Sequence, residues 1–233
     1  MKNVSLKWLA VVWMFTGLGN TVAVAAQDEK AEASLLSAIF PSNCSFSGLF
    51  SQQKAISGVP APLKSAGDFF YACDLGLVWH TSEPFSEAVL YVNSTNNFKA
   101  EDDGTLTPLS GVARYVMSNI FVPLLQGETS YFTQEFTVSQ EHNGSILLLP
   151  ESETMQKGLQ AIRISKADDT STPPTVNIKV TDATGQETQV AIEQIQKYDI
   201  EGMRKAYEQC LEMYSDKKDW CRVLRSPSRY DAF

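Results

Sequence analysis

The stretch from Cys44 to Trp79 limits the possible folds more than any other part of this chain. It runs C-S-F-S-G-L-F-S-Q-Q-K-A-I into a Gly/Pro turn, then L-K-S-A-G-D-F-F-Y-A-C, then L-G-L-V-W. If the turn is centred on Gly58-Val59, an antiparallel hairpin places Phe50 opposite Gly67, Gly48 opposite Phe69, Phe46 opposite Tyr71 and Cys44 opposite Cys73. One face is then aromatic and holds both cysteines. The other sets Ser45, Ser47 and Ser51 against Ala72, Phe70 and Ala66, so it is expected to be mostly small or polar. A slip of one residue would mix the two faces, so the pattern itself selects the register. A curved sheet with one apolar side predicts a container for an apolar guest.

The first 26 residues read as an export signal rather than as fold. Lys2 and Lys7 accompany an apolar run from Leu9 to Leu18, and Ala23-Val24-Ala25 or Val24-Ala25-Ala26 offers small residues for cleavage. The run is too short for a membrane span and is broken by Thr16, Gly17, Gly19 and Asn20. No cysteine follows the cleavage region, so the mature chain is expected to be free in the periplasm rather than lipid-anchored. Removing the signal takes away two lysines and no acids. It leaves 17 basic and 27 acidic residues, a balance of about −10 with His neutral. Such a balance excludes nucleic acid as a partner and disfavours anionic lipid surfaces, but leaves a basic protein partner open. About 207 residues remain, enough for one domain with a large core or cavity.

Four cysteines in an exported chain favour disulfides over metal binding or redox chemistry, and four allow three connectivities. The hairpin register supports Cys44–Cys73, because facing strand positions approach closely enough for a disulfide. By elimination the second pair is Cys210–Cys221.

Period changes mark the remaining elements. Leu35, Leu36, Ile39 and Phe40 suggest a short helix ended by Pro41. Leu75, Leu77 and Trp79 alternate as a third strand and Ala88 to Val92 forms a fourth, with weak strand or loop over 98–107. Residues 109–126 switch to helical spacing, through Val112, Tyr115, Val116, Ile120 and Leu124, with Gly127 as the stop. Strands resume over Tyr131 to Gln140, turn at His142-Asn143-Gly144-Ser145 and return over Ile146 to Pro150. Leu159 to Lys166, Val176 to Val180 and Thr188 to Ile192 complete nine to eleven antiparallel strands. Ile200, Met203, Tyr207, Leu211 and Tyr214 form a terminal helix. Arg222 to Phe233 is expected to be ordered only where the disulfide holds it.

The motifs of chemistry are missing. His142 lies at a hairpin tip. His80 alternates with Trp79 and so faces away from the proposed container. Neither has metal-ligand spacing. There is no G-x-S-x-G elbow and no C-x-x-C pair. Glu83, Glu87, Glu101, Asp102 and Asp103 cluster near turns, where acids mark solvated loops. No catalytic group, metal or cofactor is expected.

The chain resembles the LolA-like outer-membrane lipoprotein carriers. The resemblance rests on G-L-F-S-Q-Q-K, then P-L-K-S-A-G-D-F-F-Y, then G-L-V-W-H-T-S-E-P. An internal helix follows, with S-I-L-L-L-P and T-V-N-I-K-V-T-D-A-T-G-Q-E-T after it, over about residues 34–196. It implies a mainly β (α+β) fold: an incomplete antiparallel β-barrel, or half-barrel, with a helical lid. Here a disulfide-bearing C-terminal helix is added. The expected organisation is a signal peptide at 1–26, a carrier domain at 27–196 and a helical extension at 197–233. The resemblance also implies a monomeric periplasmic carrier. Such a carrier takes lipoprotein from an inner-membrane ABC transporter or other donor and passes its acyl chains to an outer-membrane acceptor. Family members carry an Arg-Pro between the second and third strands, where the arginine helps close the lid. Cys73-Asp74 stands there in this chain. Another lipid-like cargo, such as a polyene, fits the pattern equally well.

For the cavity lining the pattern selects Phe46, Phe50, Phe69, Tyr71, Leu77 and Trp79. For the lid it selects Val116, Ile120, Phe121, Leu124 and Leu125. The same stripes also serve as an ordinary solid core. An enzyme acting on an apolar substrate, and a sensor or assembly factor recognising lipidated partners, are the competing readings. Against the enzyme, Tyr71 and Cys73 are the only titratable groups expected on the aromatic face.

Overall fold

The structure, a computed structural model, describes residues 34–37, 44–93, 95–167 and 175–230. The expected export signal and the residues Ile39 and Phe40 lie outside that set. Eleven strands form one antiparallel sheet: β1 (Ser45–Lys54), β2 (Leu63–Ala72), β3 (Gly76–Glu83), β4 (Glu87–Tyr91), β5 (Asn97–Glu101), β6 (Leu106–Pro108), β7 (Phe136–Gln140), β8 (Ile146–Pro150), β9 (Leu159–Lys166), β10 (Val176–Asp182) and β11 (Glu187–Lys197). Their order is β6-β5-β4-β3-β2-β1-β11-β10-β9-β8-β7. The first strand therefore sits mid-sheet and pairs with the last. β6 and β7 are left as edges, and the sheet curls without closing into a barrel.

The expected hairpin register is the observed one, with Phe50 facing Gly67, Gly48 facing Phe69 and Phe46 facing Tyr71. Both disulfides form as expected, with Cα separations of 5.1 Å for Cys44–Cys73 and 5.9 Å for Cys210–Cys221. Glycine makes room at the bend. A Cβ on Gly48 would lie 2.8 Å from the Phe69 ring, so only hydrogen at that position lets the ring lie across β1. The pairing of β1 with β11 shifts register between Ser47 and Leu49, a bulge that bends the sheet.

The chain leaves one sheet edge at β6 and enters the other at β7. The helix between them therefore has to cross from edge to edge. Gly111–Val116, Met117–Phe121 and Val122–Gln126 run end to end as this helix, α1, whose middle part has π-helical turns. Gly127 ends it in the left-handed conformation, φ 65°. Next comes α2 (Thr129–Glu135). This departs from the strand expected to begin at Tyr131: Phe132 and Phe136 are four apart, a spacing that shares a face in either period. Residues 98–107, read as weak strand or loop, hold most of β5 and β6.

A single turn, α3 (Glu153–Gln156), precedes β9. The chain closes with α4 (Gly202–Met213) and α5 (Lys218–Arg225). These two helices cover the convex face, against the register ladder Phe70–Val78–Leu90–Phe98. The hairpin's own outer face is mostly small or polar, as expected, with Ser45, Ser47 and Ser51 facing Ala72, Phe70 and Ala66, and Ser45 and Ser47 are buried. The expectation for the tail is corrected. Val223 and Leu224 beyond Cys221 are fully buried, so packing as well as the disulfide orders it.

Candidate functional site

The concave face is apolar through its middle, in two halves, and turns polar towards the edges, where Lys99 is in register with Val89 and Gln140 with Ile146. On β1 to β4 it is mainly aromatic: Phe69 faces Trp79 and Tyr71 faces Leu77 in the ladder. Phe50 stacks on Trp79 at 4.0 Å between ring centroids and Phe69 stacks on it at 5.6 Å, while Phe46 meets Phe69 edge-on at 6.0 Å. On β8 to β11 it is aliphatic, with Val190, Ile178, Ile164 and Ile146 in register across four strands. All six lining residues selected from the sequence are buried on this one face.

Helix α1 lies over it. Ile120, Phe121, Leu124 and Leu125 are buried in the same cluster, and Phe121 meets Trp79 edge-on at 5.0 Å. Val116 is only half-buried and packs at the margin. Its neighbour Met117, apolar but not among those selected for the lid, turns inward instead. The sequence reading also missed Leu36, which is 1% exposed, and the pair Phe132–Phe136 with centroids 5.6 Å apart. The trough is therefore shut by side chains of its own lid. Between Leu36, Pro123, Leu124 and Phe132 a crevice of about 10 Å³ remains, no more than one water needs.

The polar groups at the site are few. Burial pushes the Tyr71 hydroxyl up to about 12, partly offset by the Gln126 side chain at the end of α1. Burial likewise raises Tyr131 to about 12, with Glu135 adding to the effect. Tyr71 also approaches Cys73 Sγ at 3.7 Å. Cys73 is held by its disulfide, and the neighbouring Asp74 carboxylate accepts the Gly202 N–H at the start of α4 at 3.0 Å. Among the described residues no group of three or more His, Cys, Asp or Glu side chains could hold a metal ion.

His80 lies on the opposite face, as expected, though not in solvent. Its Nδ1 is 2.8 Å from Asp68 Oδ2, and its ring packs at 5.0 Å from Trp220 of α5. Tyr214 donates its hydroxyl to Asp68 Oδ1 at 2.8 Å. This network fastens the terminal helices and does not reach the trough.

A family model described as outer membrane lipoprotein carrier protein LolA matches residues 42–201. The chain belongs to the LolA family. A search of curated proteins found no match. Solved structures with a similar course include a LolA superfamily protein from Nitrosomonas europaea, at 10% identity and TM-score 0.43, covering 74% of this chain and 94% of that one. A domain described as outer membrane lipoprotein-sorting, from Vibrio parahaemolyticus, gives 9% and 0.43, covering 80% and 96%. A DUF1329 family protein from Desulfovibrio piger gives 9% and 0.42, covering 78% and 95%. The match to the LolA model begins just before Cys44 and ends just before α4, so it takes in the trough and its lid but not the terminal helices.

Proposed function

We propose that this LolA-family chain is a periplasmic carrier that takes the acyl chains of a lipoprotein, or a related lipid-like molecule, into the trough beneath α1. One observation carries the reading: a continuous apolar cluster on the middle of the concave face, covered mainly by a helix strung between two open sheet edges. The closed lid occupies the place of the guest. Magnitudes make the exchange feasible. The six buried lid side chains Met117, Ile120, Phe121, Val122, Leu124 and Leu125 contribute about 1.5–3 kcal/mol each on burial, roughly 9–18 kcal/mol together. An acyl chain of about sixteen carbons brings about 13 kcal/mol at about 0.8 kcal/mol per methylene. Guest and lid are thus nearly interchangeable, and cargo can be taken up and released without a large trap in either direction. No catalytic group enters this account.

In the same reading residues 1–26 export the chain, 27–196 carry the cargo and 197–233 brace the sheet. A membrane-resident donor such as an ABC transporter loads the protein, and an outer-membrane acceptor unloads it. After export only Trp79 and Trp220 remain as tryptophans, one under the lid and one on α5, buried on the opposite face of the sheet. Brominated palmitate should quench Trp79 in a Trp220→Phe protein and leave Trp220 bright in a Trp79→Phe protein. Organic extraction of the protein from its native host should release a lipid or lipoprotein. Absence of both quenching and extracted lipid would sink the proposal.

A further inference from the structure

One end of the sheet carries apolar surface that neither cover uses. Val59 (47% exposed) and Phe85 (80%) sit there on two neighbouring turns, with Leu63 (56%) at the start of β2. The first turn spans residues 55–62 between β1 and β2, and the second spans 84–86 between β3 and β4. The registers place them at the same end. Lys54 faces Leu63 and Ala66 faces Glu83, so the two turns start three residues apart along β2, about 10 Å. Pro60, Pro62 and Pro84 add exposed apolar surface and stiffen both tips. Asp102 holds the second turn through the Ser86 hydroxyl.

We infer that this end docks shallowly into the interfacial layer of a net-neutral phospholipid bilayer. The inference rests on the carrier reading in one respect, that a lipid guest has to be met at a membrane. Its physical basis is separate. The exposed side chains project from two convex tips, and a fluid interface accepts such tips without a preformed socket. Charge selects the kind of bilayer. Lys54 and Lys64 flank the first tip, but Glu83 and Glu87 flank Phe85 in the chain and Asp102 reaches its turn through Ser86. Lys99 is already shared between Glu87 at 2.6 Å and Glu101 at 3.0 Å, and Lys217 is held by Asp102 at 2.9 Å. An anionic surface therefore gains nothing from this end, whereas a neutral one gains the apolar contact.

The test is sedimentation of the cargo-free mature protein with phosphatidylcholine vesicles, with and without phosphatidylglycerol, at low and high salt. Binding to the neutral vesicles should be insensitive to salt, and phosphatidylglycerol should not strengthen it. Phe85→Ser and Leu63→Ser should each weaken it by about tenfold or more. Both side chains are exposed, so folding should survive, and quenching of Trp79 by brominated palmitate in vesicle-free solution should be unchanged. No binding to neutral vesicles would overturn the inference. Binding that needs phosphatidylglycerol and vanishes in salt would overturn it too, as would binding indifferent to both substitutions. The vesicle-free quenching reports on the trough alone, so failure of docking and failure of the carrier reading are distinguishable.

Discussion

The helix over the concave face and the helices over the convex face bury apolar side chains against the same strands, yet they are fastened by different means. The convex cover is pinned by polar and covalent anchors. Cys210–Cys221 staples α4 to α5, Tyr214 donates to Asp68 at 2.8 Å, Tyr198 shares a 2.9 Å hydrogen bond with Ser47, and Asp74 holds the start of α4. The concave cover is held mostly by apolar contact, its helix widened by π-helical turns and carrying Pro123, which has no N–H to donate. Directional bonds fix a cover in one place, because an unpaired buried donor or acceptor is costly. Apolar contact is non-directional, so another apolar body can take it over. The sheet thus has one cover fixed by directional and covalent anchors and one held mainly by apolar contact.

The largest test of that contrast is Trp220→Ala. Trp220 is buried against His80 and Tyr214, so its loss should cost about 3–5 kcal/mol in urea unfolding. A cost below about 1 kcal/mol would mean that the convex helices are not part of the cooperative core. Next in size is Cys210→Ala with Cys221→Ala. The chain-entropy model gives about 3 kcal/mol for a loop of this separation, 11 residues. Amides of α5 should then exchange faster than those of β2. Tyr214→Phe should cost about 1.5–3 kcal/mol, because it takes a hydrogen bond from a carboxylate while His80 remains on Asp68.

Phe121→Ala should behave differently although its side chain is as well buried. We expect a smaller loss in global unfolding, about 1 kcal/mol, and brominated palmitate binding several-fold tighter, because the closed lid competes less with the guest. A loss as large as that of Trp220→Ala, with no gain in affinity, would place the lid in the fixed core and erase the contrast.

The two covers also differed in how far the sequence disclosed them. The aromatic half of the trough was legible because Phe46, Phe50, Phe69 and Tyr71 alternate within one hairpin, where a local period fixes the face. The lid was legible because 109–126 breaks that period. The terminal helix and its Cys210–Cys221 disulfide were legible too, but their place on the convex face was not, since its contacts join Tyr214 to Asp68 across 146 positions and no local pattern encodes such a pairing. His80 shows the cost. Parity put it on the right face, but nothing near it in the chain announced Trp220. Phe132 was misread for the opposite reason: local pattern was present but ambiguous, because positions four apart align in both strand and helix. The exposed Phe85 was invisible as a feature, since a sequence gives composition at a turn but not whether anything covers it.

The smallest effect, absent at neutral pH, follows from the buried phenols. Burial raises Tyr71 and Tyr131 to about 12, and holds Tyr214 well above its ordinary value of about 10, with Asp68 adding to the shift. A group with a raised folded value contributes stability that is intact below pH 10 and is lost as pH climbs towards the folded value. An alkaline absorbance titration should therefore show phenolate steps near 12, and these should vanish in a Tyr71→Phe, Tyr131→Phe protein. Loosening the lid with Phe121→Ala should admit water to Tyr71 and bring its step back towards 10. Tyr214, under the pinned cover, should not follow. If both phenols moved together, the two faces would open as one unit, and uptake of a guest would have to unfold the brace as well as the lid.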